Sequence, residues 1–543
     1  MRVSIEPTRA ARDFTSSAGR WGLLCVMVPF VAIVATHLDA IPIWDGMNYQ
    51  GCVEDAVGRP FDLLNFRCFD HPSIVYLLLW GVTQYVRPWT PSLMYGVNAV
   101  AGLASIVAFN GLLRHLFPNR RDIEYTLVTA LYAWAPLFVS HAIFLNLDYG
   151  ATALFVLFLH FLAADRVWHA TAFAVALTFT KETGLAASAV TTVAFLVAFV
   201  LRPGAPWPQR AVALRAYAPL LVVPMVLTGY FLFAAVFRHK AISYGPVQLI
   251  ANQTDVIWNT NLADPSMVSF LADLFVLNYQ WLYSAVIAVA LCAACIRVEP
   301  HADEPGDNVT RRGLFLALAL AGLVYIVTRF RFSNGARYVL LATPVLILAF
   351  YHALLSVCAR HRRRLIYLSL CALLVFLSNF RTIDVVSRSF FGTLPFGSHA
   401  LLDMTSRSGG LNLDSIVYNL EFLQLEYLYG DMIRDVRPRP GSVLLMGNAV
   451  YNFPPGVDGR DYSLTANPSR AIPFFVAIGD ASRETIASHV TRDGELFFYM
   501  AFANADNVQI HGLLKNYPLA GKTTYERHGY TMDLYTFRFP IGS

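Results

Sequence analysis

Apolar runs near residues 21–37, 92–115, 123–144, 149–165, 167–181, 184–201, 215–237, 278–296, 313–329, 336–357 and 365–381 constrain this chain more than any other feature. Each approaches the roughly 20 residues a helix needs to cross a bilayer. In that medium every backbone polar group must be satisfied internally, so the runs predict an all-α polytopic membrane domain of about eleven transmembrane helices. The chain is 56% hydrophobic and 14% charged, with a mean hydropathy of +0.48, which excludes an ordinary soluble enzyme. Its net charge of +5 sits in short clusters between the runs, not in one stripe, and argues against a nucleic-acid partner.

Charge placement predicts sidedness. Residues 1–20 carry Arg2, Arg9, Arg12 and Arg20, and no small-residue cleavage site precedes the acidic Asp39 and Asp45; the first run is therefore expected to be an uncleaved span with a cytoplasmic N-terminus. Ser73–Val86 is too short to cross, is bounded by His71-Pro72 and Arg87-Pro88, and would invert everything after it, so it is expected to lie on the membrane surface. Eleven spans then give the cytoplasm Arg114, Arg120 and Arg121, Arg166, Arg202, Arg210 and Arg215, Arg297, Arg311 and Arg312, and the cluster Arg360, Arg362, Arg363 and Arg364. The outer face receives loops 38–91 and 238–277, the Asn146–Asp148 turn, the Lys181-Glu182 turn and the loop holding Arg329, Arg331 and Arg337.

The membrane domain is expected to span 21–381. Past Arg381 the hydropathy falls and Gly409-Gly410, Pro438, Pro440, Pro454-Pro455 and Pro518 break the chain. Strand-like runs at Val443–Met446, Phe474–Ile478, Leu496–Met500 and Tyr530–Phe539 alternate with an amphipathic stretch at Ile416–Val436 and helical patterns near Glu484–Val490 and Val508–Asn516. This predicts a small extracytoplasmic α/β domain over 382–543. No glycine-rich phosphate loop follows any of its strands, which argues against a nucleotide site. Among the seven cysteines, Cys52 and Cys68 share the first outer loop, where an oxidising compartment would let them pair. Cys25, Cys292, Cys295, Cys358 and Cys371 fall in apolar runs and read as small buried hydrophobes.

The chemistry is expected on the outer side. Asp45 follows the first span between the interfacial aromatics Trp44 and Tyr49, where desolvation and a nearby cation would tune a carboxylate as a general base. Asp148 and the Lys181-Glu182 pair interrupt long apolar runs, and ionisable groups at membrane depth face a cavity or a partner. Arg329, Arg331 and Arg337 crowd one loop on the cation-poor side; a guanidinium matches phosphate oxygens, so an anion such as a lipid phosphate is the expected partner. Each residue also has a plainer account, as an interfacial acid, a turn residue or a headgroup contact.

An acid after the first span, the stretch Phe69-Asp70-His71-Pro72-Ser73-Ile74-Val75-Tyr76 and an Asp in the next outer turn together resemble the GT-C integral-membrane glycosyltransferases. The resemblance is to the protein O-mannosyltransferase and lipid A aminoarabinose-transferase type. Thr180-Lys181-Glu182-Thr183-Gly184-Leu185 and Ala336-Arg337-Tyr338-Val339-Leu340-Leu341-Ala342-Thr343-Pro344 extend it over roughly residues 20–360. The resemblance implies an outer-face site that takes a sugar from a polyprenyl-phosphate donor, with Asp45 as the base and Asp148 as a second acid. Gly46 stands where many relatives carry another acid, and Ser73 where they carry a second proline, departures that bear on metal use.

The expected reaction is an inverting transfer to an acceptor hydroxyl on a lipid, glycan or protein. Asp45 would take the proton, while Lys181, Arg329, Arg331 and Arg337 hold the departing phosphate. Tyr49, His71, Tyr76 and Glu182 are expected around the cavity. A divalent metal would fit only if Asp45 and Asp148 approached each other. The protein is expected in a bacterial inner membrane among its lipids. The rival reading is a transporter or flippase for a polyprenyl-linked or anionic substrate, for which discontinuous helices and inverted halves are not visible. A third makes it an outer-face scaffold whose C-terminal domain is the working part.

Overall fold

In the computed structural model each of the apolar runs contains helix. The structure describes chiefly residues 16–38, 74–83, 91–201 without 182, 207–238, 274–295, 306–329 and 336–380, then 443–446, 474–477, 496–500, 517–527 and 530–538, with a few isolated positions between. The chain divides into two units, Met1–Asp39 with Tyr49–Tyr418, and Ala40–Asn48 with Asn419–Ser543.

The first unit is helical: α1 (Ser17–Ala35), α2 (Ile74–Val82), α3 (Pro91–Leu116), α4 (Asp122–Ala133), α5 (Pro136–Ala142), α6 (Leu147–Ala163), α7 (Val167–Thr178), α8 (Thr183–Phe195), α9 (Trp207–Ala216), α10 (Val222–Arg238), α11 (Gln280–Cys295), α12 (Gly306–Arg329), α13 (Thr343–Val357) and α14 (His361–Ser378). Among the described residues four helices are long and apolar enough to cross a membrane alone, and six if each of two bent pairs is one span. Prolines make the bends. The run 123–144 breaks at Trp134-Ala135 ahead of Pro136, and α4 and α5 meet at 60° because proline lacks an N–H and disfavours helix in the residue before it. Pro219 sits at the second bend, of 58°, between Trp207–Ala216 and Ala218–Tyr230.

Exposed apolar side chains fall in stripes. Trp21, Leu24, Val28 and Val31 of α1, and Ile366, Leu370, Leu373 and Leu377 of α14, recur at three- and four-residue spacing on one face of each helix. Contiguous apolar surface of this kind suits contact with lipid chains. The Ser73–Val86 segment behaves differently: α2 has nine residues, far short of a span, and buries Ile74, Tyr76, Leu77 and Trp80 against Tyr49, Met94, Tyr95, Leu145 and Phe179. Cys52 is disulfide-bonded; its expected partner, Cys68, lies outside the described residues.

A buried charge network closes one end of the bundle. Glu124 of α4, 1% exposed, accepts from Tyr351 of α13 at 2.7 Å, from Arg364 of α14 at 3.1 Å and from His361. Beside it Arg114 pairs with Asp122 at 2.7 Å, Ser16 donates to Asp122, and Arg312 donates to the Leu116 carbonyl. Arg114, Arg312 and Arg364 are among the arginines that the charge bias assigns to the cytoplasm. Glu124→Gln removes the counter-charge of a buried guanidinium; it is expected to lower the thermal midpoint by the equivalent of about 1–3 kcal/mol while the protein that remains folded keeps its turnover. A melting curve in detergent paired with an activity assay checks both.

The second unit carries a five-stranded mixed sheet in the order β4-β3-β5-β7-β6, with β3 (Val443–Met446), β4 (Phe474–Ala477), β5 (Leu496–Met500), β6 (Leu519–Arg527) and β7 (Tyr530–Phe537); a small pair, β1 (Pro395–Phe396) and β2 (His399–Ala400), precedes it in the first unit. β3 lies parallel to both β4 and β5, whereas β7 is antiparallel to β5 and β6. Parallel neighbours need long crossovers, and residues 447–473 and 478–495 are available for them. The four strands expected from the sequence are present and β6 is an addition. The patterns at Ile416–Val436, Glu484–Val490 and Val508–Asn516 fall largely outside the described residues.

Candidate active site

Asp148 enters α6 as its second residue. Asn146 precedes it in extended backbone, and its Oδ1 accepts the Asp148 N–H at 2.7 Å, an N-cap of the kind worth about 1 kcal/mol. The cap and the positive helix terminus favour a carboxylate there. At 4% exposure that carboxylate would be costly alone, but it is met from two sides. Lys181 Nζ donates to Oδ1 at 2.5 Å, and Arg337 Nε lies 4.0 Å from Oδ2.

The turn between α7 and α8 brings Lys181 in. Its N–H donates to the Leu177 carbonyl at 3.1 Å and its carbonyl accepts from Gly184 at 2.9 Å, closing a tight hairpin. A Cβ on Gly184 would come within 2.7 Å of the Leu177 backbone oxygen, so the hairpin needs glycine. Arg337 arrives from a 3-10 turn, Ala336–Val339, placed ahead of α13 because Pro344 opens that helix. Beside it the Tyr338 ring faces both cations, with Lys181 Nζ 5.0 Å and Arg337 Cζ 5.3 Å from its centroid.

Behind the ion pair stands an aromatic wall organised by Asn98 of α3, fully buried. Its Oδ1 accepts from Tyr76 at 3.0 Å and Trp80 at 3.3 Å, its Nδ2 donates to the Phe144 carbonyl, and its own carbonyl accepts from Tyr149. Val75 donates to the Phe179 carbonyl at 3.0 Å, tying the start of α2 to the chain two residues before Lys181. Gly150 lets the Tyr76 ring rest against α6, since a Cβ there would lie 2.3 Å from Cε2. Tyr49 and Tyr76 thus belong to packed wall, at 5% and 1% exposure.

Of the residues singled out from sequence, Asp148, Lys181 and Arg337 come together. Asp45, His71, Glu182 and Arg331 lie outside the described residues, and Arg329 ends α12 with its side chain undescribed. Among the described residues no three metal-ligating side chains gather, and both oxygens of Asp148 face cations. A divalent ion would have to compete with Lys181 for that carboxylate. Asn98, Asn146 and Tyr338 were not anticipated as site residues. Asn98 did carry a signal, an amide in the middle of the apolar run 92–115.

Over nearly its whole length the fold matches a solved structure. ArnT from Cupriavidus metallidurans in the apo state aligns over 96% of this chain and 98% of its own, at 14% identity and a TM-score of 0.51. The same protein bound to undecaprenyl phosphate aligns over the same shares and at the same identity, with a TM-score of 0.52. This chain has the GT-C fold. No protein-family model and no curated protein matches its sequence. At 14% identity the likeness is one of fold alone.

Proposed function

We propose that this GT-C protein transfers a sugar from a polyprenyl-phosphate donor to an acceptor hydroxyl at the extracytoplasmic face of a bacterial inner membrane. One observation carries the reading: among the described residues Lys181 and Arg337 converge on one buried carboxylate, Asp148. Lysine and guanidinium are the groups that bind phosphate oxygens, and a lipid phosphodiester offers such oxygens. Its position supports the sidedness. α13 begins after the turn that holds Arg337 and ends beside Glu124 and Arg364, about 22 Å away at 1.5 Å per residue, so the site and the arginine-rich end lie at opposite ends of the helix. If the arginine-rich end is cytoplasmic, the site faces outward.

Breaking the sugar–phosphate bond places charge on the departing phosphate oxygen. Cations already fixed at that point stabilise it without reorganising. Asp45 takes the proton of the acceptor hydroxyl, whose oxygen attacks the anomeric carbon opposite the phosphate and inverts it. Residues 1–20 are then cytoplasmic, 21–381 membrane-embedded and 382–543 periplasmic, the last serving acceptor selection or support.

The deciding experiment incubates purified full-length protein with a panel of polyprenyl-phosphate sugars and scores release of polyprenyl phosphate. Acceptor-dependent release is expected with at least one donor. Movement of an intact lipid-linked substrate across vesicles with no release would establish transport instead.

A further inference from the structure

Asn146 carries a donor that the fold leaves unused. Its side chain is 1% exposed and lies two residues before Asp148. Because Oδ1 must accept the backbone N–H of Asp148, the orientation of the amide is set by chemistry and Nδ2 is its other end. Nδ2 has no hydrogen-bond partner among the described residues. A buried amide donor left unmet costs stability, and a shorter capping residue such as serine would give the same N-cap without that cost. The amide therefore adds nothing to α6 that a hydroxyl would not.

We infer that Asn146 Nδ2 donates a hydrogen bond to a phosphate oxygen of the lipid donor, next to Lys181 and Arg337. This rests on the donor-phosphate reading of the site. The three groups come from three parts of the chain: Asn146 at the N-terminus of α6, Lys181 from the α7–α8 hairpin, and Arg337 from the 3-10 turn. All are fixed at or beside Asp148. Helix N-termini receive phosphate through outward-facing N–H groups, and here the cap residue supplies an N–H of its own to that end. The lysine and arginine bring charge and the neutral amide brings direction. A hydrogen bond from an amide to a charged oxygen corresponds to a change of about 10–100-fold in affinity.

Undecaprenyl phosphate is the probe, titrated against full-length protein in nanodiscs. Asn146→Ser keeps the cap and removes the amide; it is expected to bind about 10–100-fold more weakly, with an unchanged melting midpoint, a raised donor KM and a nearly unchanged kcat. Asn146→Thr, which also caps, repeats the measurement if the serine variant is unstable. Wild-type affinity in a folded capping variant overturns the inference while the proposed function stands. Failure of the wild-type protein itself to bind the probe overturns both. A melting midpoint that falls in step with affinity in both variants assigns Asn146 to support of the helix end alone, and also overturns it.

Discussion

Lys181→Ala is expected to lose both stability and transfer, and a second substitution should separate the two losses. Lys181 and Asp148 are 8% and 4% exposed and share a 2.5 Å contact, so removing the lysine leaves a carboxylate in a nearly dry site whose nearest cation among the described residues is Arg337, 4.0 Å away. Breaking one side of such a pair costs about 3–5 kcal/mol. Transfer should fall by about 10²–10³-fold, the usual consequence of removing one preorganised group from a site of developing negative charge. Asp148→Asn on the lysine-free background removes the stranded charge. It is expected to restore most of the thermal midpoint and none of the transfer. If the double variant regains both, Lys181 serves only to neutralise Asp148, and its place at the donor phosphate is lost.

Asp45→Asn is expected to reduce transfer by about 10²–10⁴-fold, the span associated with a positioned general base. An amide has nearly the same shape as the carboxylate and cannot take the proton, so folding and undecaprenyl phosphate binding should be unchanged. The contrast with Lys181→Ala is the useful part: one variant holds the lipid phosphate as before and cannot take the proton, the other has lost a cation that stabilises the departing phosphate. Near-normal turnover by Asp45→Asn would remove this residue from the chemistry and leave the phosphate cluster untouched. Raising the pH should not rescue the variant, because no titrating group has been left in its place.

How much of this was readable beforehand follows from physics. Helices were legible because burying backbone in lipid demands unbroken apolar runs, and each run contains one. Their interruptions were less so: the run 123–144 reads as continuous by hydropathy, yet Pro136 bends it, and 336–357 hides the 3-10 turn that presents Arg337. In the C-terminal unit the apolar strands β3, β4 and β5 announced themselves. The edge strand β6, Leu-Ala-Gly-Lys-Thr-Thr-Tyr-Glu-Arg, is polar on both faces, and edge strands have no need of an alternating pattern.

At the site, Asp148, Lys181 and Arg337 were legible as charges stranded among apolar neighbours, since each needs compensation from elsewhere in the chain. Their mutual contact was not, because no spacing rule connects residues that far apart. Asn146 gave no warning at all: an asparagine in a turn is ordinary, and only a capping bond that consumes one end of its amide makes the other end informative.

Glu124 takes its basic partners, Arg364 and His361, from α14, more than two hundred residues later in the chain. During synthesis α4 is threaded into the bilayer long before α14 leaves the ribosome, so an acid destined for the interior must wait for its counter-charge. A chain that ends before residue 361 lacks both basic partners, and the Glu124 carboxylate cannot be buried at the same cost. Closure of this end of the bundle around α4 is thus coupled to arrival of α14.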